Sequence, residues 1–170
     1  MNETGNLQRV QALFVADAHF RVRPDREERH RQERFLAFLD RAHRADHLVL
    51  LGDIFDFWFD YPHFVLKGYE PLLRGLDSVR DAGTRIHFVG GNHDIWAAPY
   101  LHERFGSSPD GGPVTLALGA TRIHCIHGDG ILGKELVYRT FRAVVRHRLG
   151  IRLAKAWHPV TLFAFSTWLS

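Results

Sequence analysis

Four short clusters hold the side chains that could do chemistry: Asp17-Ala-His19, Gly52-Asp53-Ile-Phe-Asp56, Gly91-Asn92-His93-Asp94 and His127-Gly-Asp129. Each follows directly on an apolar run that reads as a strand, so each delivers its groups at a strand end. Carboxylate oxygens, a carboxamide oxygen and neutral imidazoles form a borderline-hard donor set. It suits Mn²⁺, Fe²⁺ or Zn²⁺ better than Ca²⁺, and it does not suit metals selected by thiolate. Two such ions, typically about 3.5–4 Å apart, clamp the attacking and leaving oxygens of a phosphoryl displacement and turn water into a nucleophile. That arrangement needs a bridging carboxylate, and Asp53, on the run expected to lie centrally, fills the place. Asp17 and His19, alternate residues leaving one strand, can reach one ion, and Asn92 and His127 can serve the other. His93 is the candidate general acid, with Asp94 as its orienter. Asp56 reads as a supporting hydrogen-bonding group. One such cluster alone would be an ordinary turn, since Asp and Asn favour turns. Four in this order point to a two-metal site.

The elements that must position these groups alternate strand and helix. Residues 11–16, 47–51 and 85–89 read as strands, the second an unbroken apolar run typical of a buried parallel strand. Between them, Pro24 and Asp25 open a helix over 26–44 with Phe35, Leu36, Phe38 and Leu39 as its apolar stripe. A second helix over 69–82 starts near Pro71, stops at Gly83 and turns Leu72, Leu73, Leu76 and Val79 inward. The mixed-charge run 26–34 reads as a solvated helix face. A short helix follows at 97–104, then a hairpin of 114–118 and 121–126 across Gly119-Ala120. Residues 134–148 form a helical pattern with Arg139, Arg142 and Arg146 along one side. An apolar, aromatic stretch closes the chain. Strand and helix in alternation make α/β the expected class.

Bulk properties narrow the function. A chain of 170 residues with 45% apolar and 24% charged residues is an ordinary globular domain. A net charge of +3 gives mild attraction to anions and does not mark a dedicated nucleic-acid binder. The single cysteine, Cys125, excludes an internal disulfide and sits in an apolar strand pattern, so it reads as a core residue. Residues 1–9 lack the apolar segment of a signal peptide, and no stretch has the length of a membrane span. A cytoplasmic protein is the expectation.

Asp-x-His, Gly-Asp-x-x-Asp, Gly-Asn-His-Asp and His-Gly-Asp, in this order, resemble the opening motifs of the calcineurin-like metallophosphoesterases. The resemblance runs from about Ala12 to the end of the chain. It implies a β-sandwich flanked by helices (αββα). It also implies two divalent ions, Mn²⁺ foremost, one held by Asp17, His19 and Asp53 and the other by Asp53, Asn92 and His127. The longer context, Leu51-Gly-Asp-Ile-Phe-Asp-Phe-Trp-Phe59 and then His127-Gly-Asp-Gly130 with a basic segment, is similar to the family branch that hydrolyses the diphosphate of UDP-2,3-diacylglucosamine in lipid A synthesis. That similarity implies a core over 1–130 and a helical lid begun over 131–170. Arg139, Arg142 and Arg146 would then meet the substrate's phosphates, beside the inner-membrane surface. The family's later Gly-His-x-His motif has no counterpart after His127, where His147 and His158 stand alone. The resemblance therefore implies an incomplete second sheet and a truncated lid. Two rival readings are a phosphoesterase for a soluble substrate and an inactive fragment.

Overall fold

The computed structural model describes residues 10–58 and 66–128. The expected helix at 134–148 with Arg139, Arg142 and Arg146, Asp129 and the aromatic C-terminal stretch lie outside the described residues. Three strands, β1 (Ala12–Val15), β2 (His47–Leu51) and β3 (Arg85–Val89), form a parallel sheet in the order β1-β2-β3. The β2 strand is central, with Phe14 facing Val49 and Val49 facing His87 across its two ladders. Both crossovers are helical: α1 (Arg26–Ala42) joins β1 to β2, and α2 (Glu70–Asp81) joins β2 to β3. A 3-10 turn at Lys67–Tyr69 leads into α2, and a second at Ile95–Ala97 leads into α3 (Ala98–Phe105). Strands β4 (Val114–Leu118) and β5 (Thr121–Cys125) pair antiparallel as a separate small sheet.

Period-2 alternation along the strands divides the interior into two cores. Leu48, Leu50, Ile86 and Phe88 face the helices and pack with Leu39, Leu72, Leu73, Leu76 and Leu101. Val49 and Val89 face the other way and pack with Leu116 and Cys125 of the hairpin. Among the described residues, helices on one face of a parallel sheet and a small second sheet on the other give the first three layers of an αββα sandwich. This is the expected α/β class with a small second sheet.

Two features of α1 depart from the sequence reading. The helix ends at Ala42, where the Thr84 hydroxyl meets the carbonyls of Ala42 and Ala45 at 2.8 and 2.9 Å. That buried hydroxyl satisfies helix-end acceptors and closes the helix two residues early. More important, the charged run is not wholly solvated. The buried positions of α1 are Glu28, Gln32, Phe35, Leu39 and Ala42, a continuous stripe at helical spacing whose first two members are polar. Asp25 caps the helix, accepting from the Glu28 N–H at 2.8 Å.

Helices α2 and α3 are tied by the Asp77 carboxylate, which accepts from Arg104 Nε at 2.9 Å and from a second guanidinium nitrogen. The Arg104 hydrogen bonds hold the Asp77 carboxyl below the usual carboxylate range, outweighing its partial burial. The pair's stabilisation is complete above the ordinary carboxyl range near pH 4. It is lost as pH falls through the lowered Asp77 pKa. Asp77→Asn is therefore expected to cost about 1 kcal/mol in urea unfolding at pH 7. The two proteins converge in stability as the solution is acidified through that range.

Candidate metal centre

Three of the clusters leave the carboxyl ends of the parallel strands, the edge where open α/β sheets collect ligands, and His127 of the fourth reaches that edge from the end of β5. The turns after β1 and β2 run side by side and are zipped by main-chain bonds. Asp17 N–H donates to Gly52 O at 3.1 Å, His19 N–H to Asp53 O at 2.8 Å and Phe20 N–H to Ile54 O at 2.9 Å. Asp17, His19 and Asp53 all take positive φ, at 51°, 46° and 51°. Such conformations are strained for residues with a Cβ and persist where the surroundings fix them. Gly52 (φ 84°) and Gly91 supply the close approach: a Cβ on Gly52 would overlap the His127 ring, and one on Gly91 the Asp53 carboxylate.

Asp53 sits at the middle of the group and is 4% exposed. One of its oxygens accepts the His93 N–H at 2.9 Å. The other lies 3.7 Å from His19 Nε2 and 3.4 Å from His127 Nε2. Burial alone would raise the Asp53 pKa. A hydrogen bond from the His127 ring in its protonated form, the His93 N–H and the charge of both rings when protonated outweigh it and hold the carboxyl below its ordinary range.

Two ligand groups share this carboxylate: His19, Asp53 and His93 on one side, and Asp17, Asp53 and His127 on the other. In each, the donor atoms lie within 4.8 Å of one another. The rings are aimed by the main chain. His127 Nδ1 contacts Leu51 O at 2.9 Å and His93 Nδ1 contacts Asp56 O at 2.8 Å. A carbonyl only accepts, so both Nδ1 atoms carry a proton, which in the neutral rings leaves the lone pair on Nε2. In the neutral form of His127, its Nε2 and the Asp53 oxygen 3.4 Å away are two acceptors side by side, an arrangement that a cation or a proton between them satisfies. The donor set fits a divalent metal on these grounds.

The structure distributes the sequence candidates with some differences. Asp17, His19, Asp53 and His127 converge. His93 joins them, its ring edge-on to His19 at 4.7 Å between centroids. Asn92 stands exposed at the same turn. Asp94 does not orient His93; the Asp56 main-chain carbonyl does. Instead Asp94, fully buried, accepts four main-chain N–H groups: Asp53 at 3.1 Å and Gly91 at 3.0 Å on one oxygen, Ile54 at 2.7 Å and Phe55 at 3.3 Å on the other. Burial pushes its pKa up to about 6, against the pull of those N–H groups. Asp94 is thus the bolt between the turns after β2 and β3. Nothing in the spacing Gly-Asn-His-Asp separates this task from orienting the neighbouring histidine.

Replacing that bolt leaves buried donors without their acceptor. Asp94→Asn, which turns an NH₂ toward main-chain N–H groups, is expected to lower stability by about 3 kcal/mol in urea unfolding at pH 7. An unchanged midpoint would contradict the role assigned to this carboxylate.

The family model for calcineurin-like phosphoesterases matches residues 11–163. Among curated relatives, the UDP-2,3-diacylglucosamine hydrolase of Porphyromonas gingivalis is 31% identical over 157 residues, covering 89% of this chain and 58% of the relative. The hydrolases of the same name from Chromohalobacter salexigens and Escherichia fergusonii are 33% and 31% identical, over 79% and 78% of this chain and 53% and 54% of their own lengths. The chain spans a little over half the length of these relatives. With the match extending over nine-tenths of its residues, the chain belongs to the calcineurin-like phosphoesterase family.

Proposed function

We propose that this chain carries the metal-binding core of a hydrolase that cleaves the diphosphate of UDP-2,3-diacylglucosamine, giving 2,3-diacylglucosamine 1-phosphate and UMP. The observation that carries the reading is the single carboxylate, Asp53, shared by two groups of ligands. The names of the relatives supply the substrate.

Asp17, His19, Asp53, Asn92 and His127 are the proposed ligands of two divalent ions, Mn²⁺ first, with His93 at the edge of the same cluster. Ions held there supply Lewis acidity toward phosphoryl oxygens and a nucleophile from water at neutral pH. The protein's own part is positional. Asp53 would be shared by the two ions, the Leu51 and Asp56 carbonyls hold the Nδ1 protons of His127 and His93, and Asp94 fixes the turns. His93 in its imidazolium form presents Nε2–H to the leaving oxygen while Nδ1–H stays on the Asp56 carbonyl. The anhydride P–O bond breaks, the water oxygen joins the phosphorus and releases one of its protons to solvent, and the His93 proton neutralises the departing phosphate.

Arg139, Arg142 and Arg146 are proposed to meet the substrate phosphates, within a lid over 131–170 that follows a core over 1–130. A substrate with two acyl chains places the reaction at the inner-membrane surface, on the cytoplasmic side. No described helix is long and apolar enough to cross a membrane.

The test is release of UMP from UDP-2,3-diacylglucosamine in detergent micelles with and without Mn²⁺. Turnover that needs the metal, stops with chelator and falls at least about a hundredfold in Asp53→Ala is the expected result. UDP-glucose, without acyl chains, is expected to survive. Equal hydrolysis of both would move the assignment to a soluble substrate, and no metal-dependent turnover of either would contradict the proposed activity.

A further inference from the structure

The turn between β1 and α1 offers two residues to the metal cluster, Asp17 and His19, with Ala18 between them. Both flanking residues are held at positive φ. Main-chain bonds to the neighbouring turn fix the N–H groups of Asp17, His19 and Phe20. They leave the Ala18 carbonyl, which is met from the opposite side by helix α1. Arg31 Nη2 donates to Ala18 O, and Arg31 Nη1 donates to Glu28 Oε2 at 2.7 Å. Glu28 is fully buried, an unusual place for a carboxylate unless it is paired. Its other oxygen accepts the Arg21 N–H at 3.0 Å, just beyond the turn, and Gln32 Nε2 at 3.3 Å. Gln32 also reaches Arg21 O at 3.3 Å. The Arg31 guanidinium lies 5.8 Å over the Phe20 ring. One helix face therefore grips residues 18, 20 and 21 through a buried carboxylate and a single guanidinium fork. A fork of this kind fixes two acceptors at once, which a point charge does not.

We propose that Arg31 and Glu28 are positioning residues for the metal centre: they hold the Ala18 carbonyl so that Asp17 and His19 keep their strained conformation and stay aimed at the two ion sites. The proposal rests on the two-ion reading of the site and adds to it a support that touches neither ion. Because Asp17 and His19 both leave this turn, loosening it withdraws two ligands from the centre at once. Partners behind metal ligands are typically worth 10–100-fold in affinity.

The experiment is Mn²⁺ binding to the full chain by isothermal titration calorimetry, with the thermal midpoint of each metal-free variant recorded by circular dichroism. Glu28→Gln with Arg31→Met removes the grip without stranding a buried charge. Leu39→Val, a core truncation in the same helix, is the control for stability alone. The double variant is expected to bind Mn²⁺ at least about tenfold more weakly. Leu39→Val is expected to keep wild-type affinity despite a lower midpoint. Arg31→Lys, which keeps a cation beside Glu28 but loses the fork, is expected to fall between them, and it carries the test if the double variant does not fold. Wild-type affinity in Arg31→Lys and the double variant overturns the proposal, as does an equal loss in Leu39→Val, which would tie affinity to stability. A wild-type chain that binds no Mn²⁺ overturns the reading of the site and this proposal with it.

Discussion

Four main-chain N–H groups on one buried carboxylate hold this site together. Asp94 sits where the turns after β2 and β3 meet and takes N–H bonds from both of them. A buried carboxylate without such partners would cost far more than it contributes, so the turns and the carboxylate constrain each other. Once the β2 turn is fixed this way, Asp53 is fixed, and its carboxylate becomes the point on which His19, His93 and His127 converge. The parallel register of β1, β2 and β3 does the rest, because it brings the strand ends level.

A second constraint acts on the β1 turn. Here the N–H groups of Asp17, His19 and Phe20 pair with the carbonyls of the β2 turn. One acceptor of that turn, the Ala18 carbonyl, is taken by α1. The ligand-bearing turns thus lean on one another and on the helix face behind them, and three left-handed residues are kept in place within them. Strain gathered at residues with chemistry to do is a common feature of functional sites.

Much of this was legible in the sequence. The unbroken apolar run before Asp53 marked the central strand, and Leu72, Leu73, Leu76 and Val79 all point inward as their spacing requires. The convergence of Asp17, His19, Asp53 and His127 follows from strand-end placement alone. What the sequence hid was the direction of polar groups. Glu28 and Gln32 look like part of a solvated charged run, yet they extend the buried stripe of Phe35, Leu39 and Ala42. The spacing 28, 32, 35, 39, 42 and the pattern Asp25-x-x-Glu28 at a helix start were the available signals. Asp94 likewise looked like a partner for its neighbour His93, because adjacency in sequence says nothing about which backbone a buried carboxylate faces. The carbonyls of Leu51 and Asp56, which aim the two histidines, carry no side-chain signature at all.

The proposed site stands or falls on Asp53 being shared by two ions. Electron paramagnetic resonance of the chain loaded with Mn²⁺ tests it most directly, since ions sharing one carboxylate are exchange-coupled and give a many-line spectrum, whereas separate ions give six lines each. The account predicts the coupled spectrum at two equivalents of Mn²⁺ and its disappearance in Asp53→Ala. A six-line signal at every loading, unchanged by that substitution, would contradict it.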